Sequence, residues 1–138
     1  MELYLLHPIA VHFPVALLIV GLAFELLTFK LNRSWLGQTA TALLILGTLS
    51  VALAVGLGLL AEETVPHVPD AWQILERHET LGFWTLGIFV FLSLQRCFKK
   101  EYLKFYFLLV WISAVVLLIT TAYHGGLLVF HFGVGVHP

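Results

Sequence analysis

The chain has 138 residues, of which 60% are hydrophobic and 11% are charged, and its mean hydropathy is +0.98. An ordinary soluble domain has about 45–50% apolar and about 25% charged residues, so this composition excludes that class and indicates a membrane protein. The formal net charge of −1 excludes a basic surface for nucleic acid. Cys97 is the single cysteine, which excludes an internal disulfide.

Four long apolar segments are separated by short polar stretches, and each is long enough for a transmembrane helix of about 20 residues. We expect these helices at about residues 8–30, 36–60, 78–96 and 103–124 or longer. The fold class that follows is an all-α, integral membrane four-helix bundle. Because four spans use nearly the whole chain, residues 1–138 are expected to form a single transmembrane domain.

The first helix is expected to begin at Pro8 or Pro14, because proline fits the first helical turn. In the second helix, small residues recur every seven positions and predict a seam that lets a neighbouring helix approach closely: Ala40, Gly47, Ala54 and Ala61. In the connection 61–77, Asp70 is expected to cap a short interfacial helix with Trp72 at headgroup level. No internal repeat is evident.

Basic residues mark one side of the membrane. Six of the seven lie in the first and third connections, a side that the positive-inside rule assigns to the cytoplasm: Lys30, Arg33, Arg96, Lys99, Lys100 and Lys104. This placement of basic residues predicts a multi-pass protein of the bacterial inner membrane with both termini on the periplasmic side. Glu25, one turn from the cytoplasmic end, is expected to reach that interface and pair with Lys30 or Arg33.

All seven histidines lie at the opposite, periplasmic ends of the predicted helices: His7, His12, His67, His78, His124, His131 and His137. At a rise of about 1.5 Å per residue, His12, His78 and His124 each lie roughly 27–30 Å from the basic residue at the other end of the same helix. That distance matches the bilayer core of about 30 Å, so these three share one layer at its outer edge. His7 and His131 are expected to form a second layer further out.

The segments that carry these histidines resemble a known family. The first predicted helix opens with His7-Pro8-Ile9-Ala10-Val11-His12-Phe13-Pro14, and the third opens with His78-Glu79-Thr80-Leu81-Gly82. The last motif covers residues 121–136 and begins with Thr121-Ala122-Tyr123-His124-Gly125-Gly126. Together they resemble the bacterial membrane proteins grouped as domain of unknown function 2231, over essentially the whole chain. The resemblance implies a four-helix inner-membrane domain of unsettled function, often met near respiratory and cytochrome genes.

The resemblance also implies which histidines matter. The family's His-Pro, His-Phe-Pro, helix 3 histidine and exit motif match His7, His12, His78 and His131 here, with Phe132 inserted between His131 and Gly133. The position of His124 is often not histidine in the family, and the family name itself confers no activity.

The one-sided histidines favour a haem b, or two, held by two imidazoles from facing helices. The expected cofactor-binding residues are His12, His78, His131, His124, His7 and, toward the haem propionates, Arg77. Nearby aromatic residues are expected to line the slot: Phe13, Phe83, Trp84, Tyr123, Phe130 and Phe132. The expected function is electron transfer at the periplasmic side, as a subunit or partner of a larger redox complex, with a c-type cytochrome or quinol as partner.

Two alternatives stay open at this stage. The first is a zinc or copper site that uses His12, His78, His131 and His124, because three imidazoles in one layer are a common metal ligand set. The second is a non-catalytic accessory or assembly subunit whose histidines are merely interfacial. No catalytic residue is assigned, and an electron-transfer subunit is favoured over a stand-alone enzyme.

Overall fold

A computed structural model describes residues 3–31, 33–65, 68–98 and 104–135, which form helices and no strand. Its elements are a 3-10 turn at Leu3–Leu5, α1 at Leu6–Ala10, α2 at His12–Leu31, α3 at Ser34–Thr64, a second 3-10 turn at Pro69–Ala71, α4 at Trp72–Phe98 and α5 at Lys104–Phe130. Four segments are long and apolar enough to cross a membrane: Leu6–Leu31, Ser34–Thr64, Pro69–Phe98 and Lys104–Phe130. The all-α class is thereby confirmed for the described residues.

The helix ends differ from the expected ones in three places. The first span begins at Leu6, ahead of both prolines. Its helix is interrupted at Val11, between α1 and α2, because Pro14 has no N–H to donate to the carbonyl three to four residues before it. The helix α4 begins at Trp72, so the expected interfacial helix is continuous with the third span. Asp70 lies inside the 3-10 turn, where Val68 is the N-cap without a side-chain bond, so the expected Asp70 cap is wrong.

The fourth helix runs through Gly125 and Gly126 without a break and ends at Phe130. Beyond it, Gly133 and Gly135 have φ angles of 67° and 73°, the left-handed conformation that commonly ends a helix. The amide of Gly133 donates to the carbonyl of Val129 at 3.2 Å across this end. Residues 131–135 thus leave the helix, and a Cβ added to Gly135 would lie 3.4 Å from Cδ2 of Tyr4.

The four spans pack in a closed ring. Contacts join α2 to α3, α3 to α4, α4 to α5 and α5 back to α2. The helices α2 and α4 therefore lie on one diagonal of the bundle, and α3 and α5 lie on the other. The expected small-residue seam is confirmed on α3, where a Cβ added to Gly47 would lie 2.5 Å from Cδ2 of Leu18.

The structure contains an internal repeat that the sequence does not reveal by inspection. The buried positions of α2 recur on α4 at one constant spacing, as the pairs Pro14 and Thr85, Leu18 and Phe89, Gly21 and Leu92, and Glu25 and Arg96. The buried positions of α3 recur on α5 in the same way, among them Leu44 and Trp111, Gly47 and Ala114, Val51 and Leu118, and Ala54 and Thr121. The bundle is therefore two similar helical hairpins in an approximately twofold arrangement.

Candidate functional site

Two histidines occupy equivalent places in the two hairpins. Nδ1 of His7 lies 2.8 Å from the carbonyl oxygen of Ala54 on α3, and Nδ1 of His78 lies 2.9 Å from that of Thr121 on α5. A carbonyl oxygen only accepts, so each Nδ1 must carry the hydrogen and donate it. In the neutral rings, Nε2 then keeps its lone pair, and no described residue bonds to it.

A glycine lies four residues after each accepting carbonyl. A Cβ added to Gly58 would lie 3.1 Å from Cε1 of His7, and one added to Gly125 would lie 2.9 Å from Cε1 of His78. Positions i and i+4 share one face of a helix, so the missing side chain leaves the room that the imidazole fills. Both rings are therefore held by the same local arrangement, in which the accepting carbonyl is followed one helical turn later by a glycine.

The two rings also contact each other across the diagonal. Their centroids are 6.0 Å apart and their planes are 80° from parallel. Both side chains are partly buried, His7 at the start of α1 and His78 in the second turn of α4. We call His7 and His78 the histidine pair, and the end of the bundle that carries them the histidine end.

The other described histidines are not part of this contact. His12 is exposed, with Nδ1 3.3 Å from the carbonyl of Ile9 in its own helix turn. Nδ1 of His124 lies 2.9 Å from the carbonyl of Thr120, again within one helix. His131 is exposed and packs edge-on against Phe132. The structure thus brings His78 together with His7 rather than with His12, while His67 and His137 lie outside the described residues.

The expected three-imidazole zinc or copper site is not assembled. Within the described ranges, no group of three or more His, Cys, Asp or Glu side chains is placed to hold a metal ion. The contact between His7 and His78 offers two protein ligands, whereas zinc takes three or four.

The aromatic side chains do not line a slot between the helices. Phe13, Phe83, Trp84, Tyr123 and Phe130 are between 48% and 91% exposed on the bundle surface. Of the six expected slot residues, Phe132 is the one that is partly buried. These residues therefore form an outward-facing aromatic belt, which is the usual place for aromatics at a membrane boundary. Arg77 is likewise exposed, one residue before His78.

At the opposite end of the same diagonal, Glu25 and Arg96 form a buried ion pair. Nη1 and Nη2 of Arg96 donate to the two carboxylate oxygens of Glu25 at 3.1 and 2.6 Å, and the side chains of Arg96 and Glu25 are 9% and 3% exposed. Nε of Arg96 donates to the hydroxyl of Thr41 at 2.8 Å, and Nη2 lies 3.3 Å from the carbonyl of Gly37. The guanidinium also lies 5.3 Å from the ring centre of Phe107.

The expected pairing of Glu25 with Lys30 or Arg33 is therefore wrong. Those two side chains are exposed, whereas Glu25 faces the bundle interior. A signal for the true partner was present in the sequence, because Glu25 follows His7 at the same spacing at which Arg96 follows His78. Two residues of opposite charge at equivalent places in two similar helices are candidates for a contact.

A cleft of about 890 Å³ lies at the histidine end, between the last turn of α3, the second 3-10 turn and the first turn of α4. Its walls are mostly apolar, with Leu59, Trp72 and Leu75 among them, and they include the carboxylates of Glu62 and Glu63. A smaller cleft of about 240 Å³ shares Glu62 and Trp72. None of the described residues that line either cleft is a histidine.

Comparison with known proteins places the chain in a family. The model of the family described as "Predicted membrane protein (DUF2231)" matches residues 5–138. Neither the curated proteins nor the solved structures contain a significant match. The match covers both hairpins, the histidine pair and the Glu25–Arg96 pair, and the four apolar helices agree with its description. The chain therefore belongs to the DUF2231 family of membrane proteins.

Proposed function

We propose that His7 and His78 would hold a b-type haem, and that the protein transfers electrons as a subunit or partner of a larger redox complex. The observation that supports this most strongly is the contact of two imidazoles across the bundle, each held through Nδ1 so that Nε2 stays available. Cofactor sites in helix bundles are built in this way from side chains on facing helices.

The number of protein ligands favours haem over a bare metal ion. A porphyrin supplies four nitrogen ligands, so iron needs only two more from the protein. The histidine pair offers two imidazoles, with ring centroids 6.0 Å apart. This number of protein ligands supports a haem, and His7 and His78 are the residues that would hold it.

The chain's own residues have distinct parts in this proposal. The carbonyls of Ala54 and Thr121 accept the Nδ1 hydrogens, which orients the rings and makes Nε2 a stronger donor to a metal. Gly58 and Gly125 leave space beside the rings. Arg77, exposed next to His78, is the cation available to propionate groups. A haem with two imidazole ligands supplies one-electron chemistry, with no open position for a substrate.

Charge placement supports a periplasmic location for the histidine end. Lys30, Arg33 and Lys104 are exposed at the opposite end, whereas Arg96 is withdrawn into its pair with Glu25. The histidine end instead carries a set of acids: Glu62, Glu63, Asp70, Glu76 and Glu79. Under the positive-inside rule the histidine end faces the periplasm of a bacterial inner membrane. A basic c-type cytochrome or a quinol are then the accessible partners.

Absorption spectroscopy of the purified protein tests the proposal. The reduced protein should show the spectrum of a low-spin, bis-imidazole b-type haem, and His7→Ala and His78→Ala should each abolish it or convert it to high spin. His12→Ala and His131→Ala are the matched controls and should keep it, because those side chains are exposed and outside the pair.

Three results would overturn the haem proposal. A full low-spin spectrum in His7→Ala would show that His7 is not a ligand. Stoichiometric zinc or copper without haem would replace it with the metal-ion alternative. Protein with neither haem nor metal after expression with excess haem precursor would favour an accessory subunit. A cytoplasmic C-terminus in reporter fusions would separately overturn the periplasmic location.

A further inference from the structure

Two residues that line the large cleft at the histidine end are close in the chain to the histidine pair or to its packing partners. Leu59, on its wall, directly follows Gly58, the glycine against which His7 packs. Leu75, on the opposite wall, lies three residues before His78 on the same helix. One helical turn is about 5 Å long, so a molecule seated in this cleft lies within a turn or two of the pair.

The chemistry of the cleft walls is specific. They are mostly apolar, and they lie where the spans leave the apolar core. The described side chains that add charge are carboxylates from two helices, Glu62 and Glu63 on α3 and, in the adjoining smaller cleft, Glu76 and Glu79 on α4. Ionised carboxylates accept hydrogen bonds and cannot donate them. The combination suits an apolar ligand whose polar groups are donors.

We propose that this cleft binds the head group of a lipid-soluble para-quinol. The volume of about 890 Å³ lies in the range of about 300–1,000 Å³ that is usual for small-molecule sites. A quinol carries two hydroxyl donors on an apolar ring, and its tail reaches the site through the bilayer. An anionic phospholipid head group would meet like charge in the same cleft.

The inference includes a preference between redox forms. A quinol donates two hydrogen bonds to carboxylates, whereas the oxidised quinone has only acceptors and would face Glu62 and Glu79 without a partner. The cleft therefore binds the reduced form more tightly. The inference rests on the proposed function and deepens it. Oxidation of one quinol to quinone would release two protons to water and two electrons, which a haem held by His7 and His78 would accept one at a time.

Binding of decyl-ubiquinol and decyl-ubiquinone to the full-length protein in detergent, measured by calorimetry, tests the inference without requiring haem. Quinol should bind about tenfold or more tightly than quinone, and Glu62→Gln should remove most of that preference. Leu75→Trp, which fills the cleft, should abolish binding. Leu53→Trp, on the exposed surface of α3, is the matched control and should bind as the parent protein does.

Equal affinity for the two redox forms would overturn the inference, as would unchanged binding in Leu75→Trp. Displacement of quinol by phosphatidylglycerol vesicles at equal concentration would also overturn it, because the cleft would then be a lipid head-group site. A dithionite-reducible haem without quinol binding would reject this inference and leave the proposed function standing. Quinol binding by a protein that never takes up haem would support this inference and reject the proposed function.

Discussion

The two ends of one diagonal differ in how completely their polar groups are used. At the histidine end, His7 and His78 each use one ring nitrogen, and the other nitrogen has no partner among the described residues. At the basic end of the same helices, Arg96 satisfies both carboxylate oxygens of Glu25 and also bonds to Thr41 and Gly37.

The difference is what the proposed function requires, with a ligand site at one end and a structural contact at the other. A buried ion pair with its hydrogen bonds satisfied has no remaining valence for a ligand, and its role is to hold two helices in one register. A pair of imidazoles with free Nε2 atoms has the valence that a metal centre requires. Under the proposed function, equivalent places in a repeated fold would have two different roles, and the following variants test that difference.

The largest effect is expected from Glu25→Ala, which leaves the guanidinium of Arg96 buried without its partner. Such a loss costs about 3–5 kcal/mol of stability. Thermal unfolding in detergent, followed by circular dichroism, should show a large fall in melting temperature. Lys30→Ala removes an exposed charge at the same end and should have little effect.

The double variant Glu25→Leu/Arg96→Leu distinguishes a clamp from a functional charge. Replacement of both partners by apolar residues is often neutral or stabilising, so the double variant should be more stable than Glu25→Ala. It should also keep the cofactor spectrum, since the histidine pair lies about 27 Å away at about 1.5 Å per residue. Loss of the cofactor spectrum in a stably folded double variant would contradict a purely structural role.

An intermediate effect is expected from Gly125→Ala. The new Cβ would lie 2.9 Å from Cε1 of His78, so the ring must move away from the carbonyl of Thr121. Overpacking of this kind costs about 1–3 kcal/mol. Cofactor content should fall together with stability. Gly87→Ala is the matched control, because an added Cβ there meets nothing within 4 Å; equal loss in both variants would argue against the packing of His78 as the cause.

The smallest effect is expected from Thr85→Val. The hydroxyls of Thr85 and Thr121 are 3.1 Å apart in the interior, and Thr121 also supplies the carbonyl that holds His78. A hydrogen bond between membrane helices contributes on average about 0.6 kcal/mol. A small loss of stability in chemical denaturation is therefore expected. Thr120→Val, at an exposed position with a bond only to its own helix, should lose less.

The sequence predicted that His78 shares a layer with His12 and His124 and that His7 lies in a second layer further out, whereas the structure places His7 in contact with His78. Counting residues from the basic end estimates depth, and depth does not say which way a side chain points. His7 and His12 are separated by five positions, which places them about 140° apart around a helix of about 3.6 residues per turn. One of them must turn away when the other faces the bundle, and His12 is the exposed one.

Distance along the chain also failed to identify the partner of Glu25. Along the chain, Lys30 and Arg33 are its nearest cations, whereas Arg96 belongs to a different span. Only the ring order of the helices, which places α2 and α4 on one diagonal, brings Arg96 within bonding distance. The repeat of buried positions was hidden for a related reason, because unlike residues such as Gly21 and Leu92 occupy equivalent places.

By itself, the sequence determined the four apolar spans, the separation of basic residues from histidines and the small-residue seam on α3. These properties follow from local hydrophobicity and helical periodicity, which are written along the chain. The tertiary structure alone decided which histidines meet, which acid pairs with which base, and that the two hairpins are alike. Those outcomes depend on how each helix is rotated against its neighbours, and that rotation is set by packing between residues far apart in the chain.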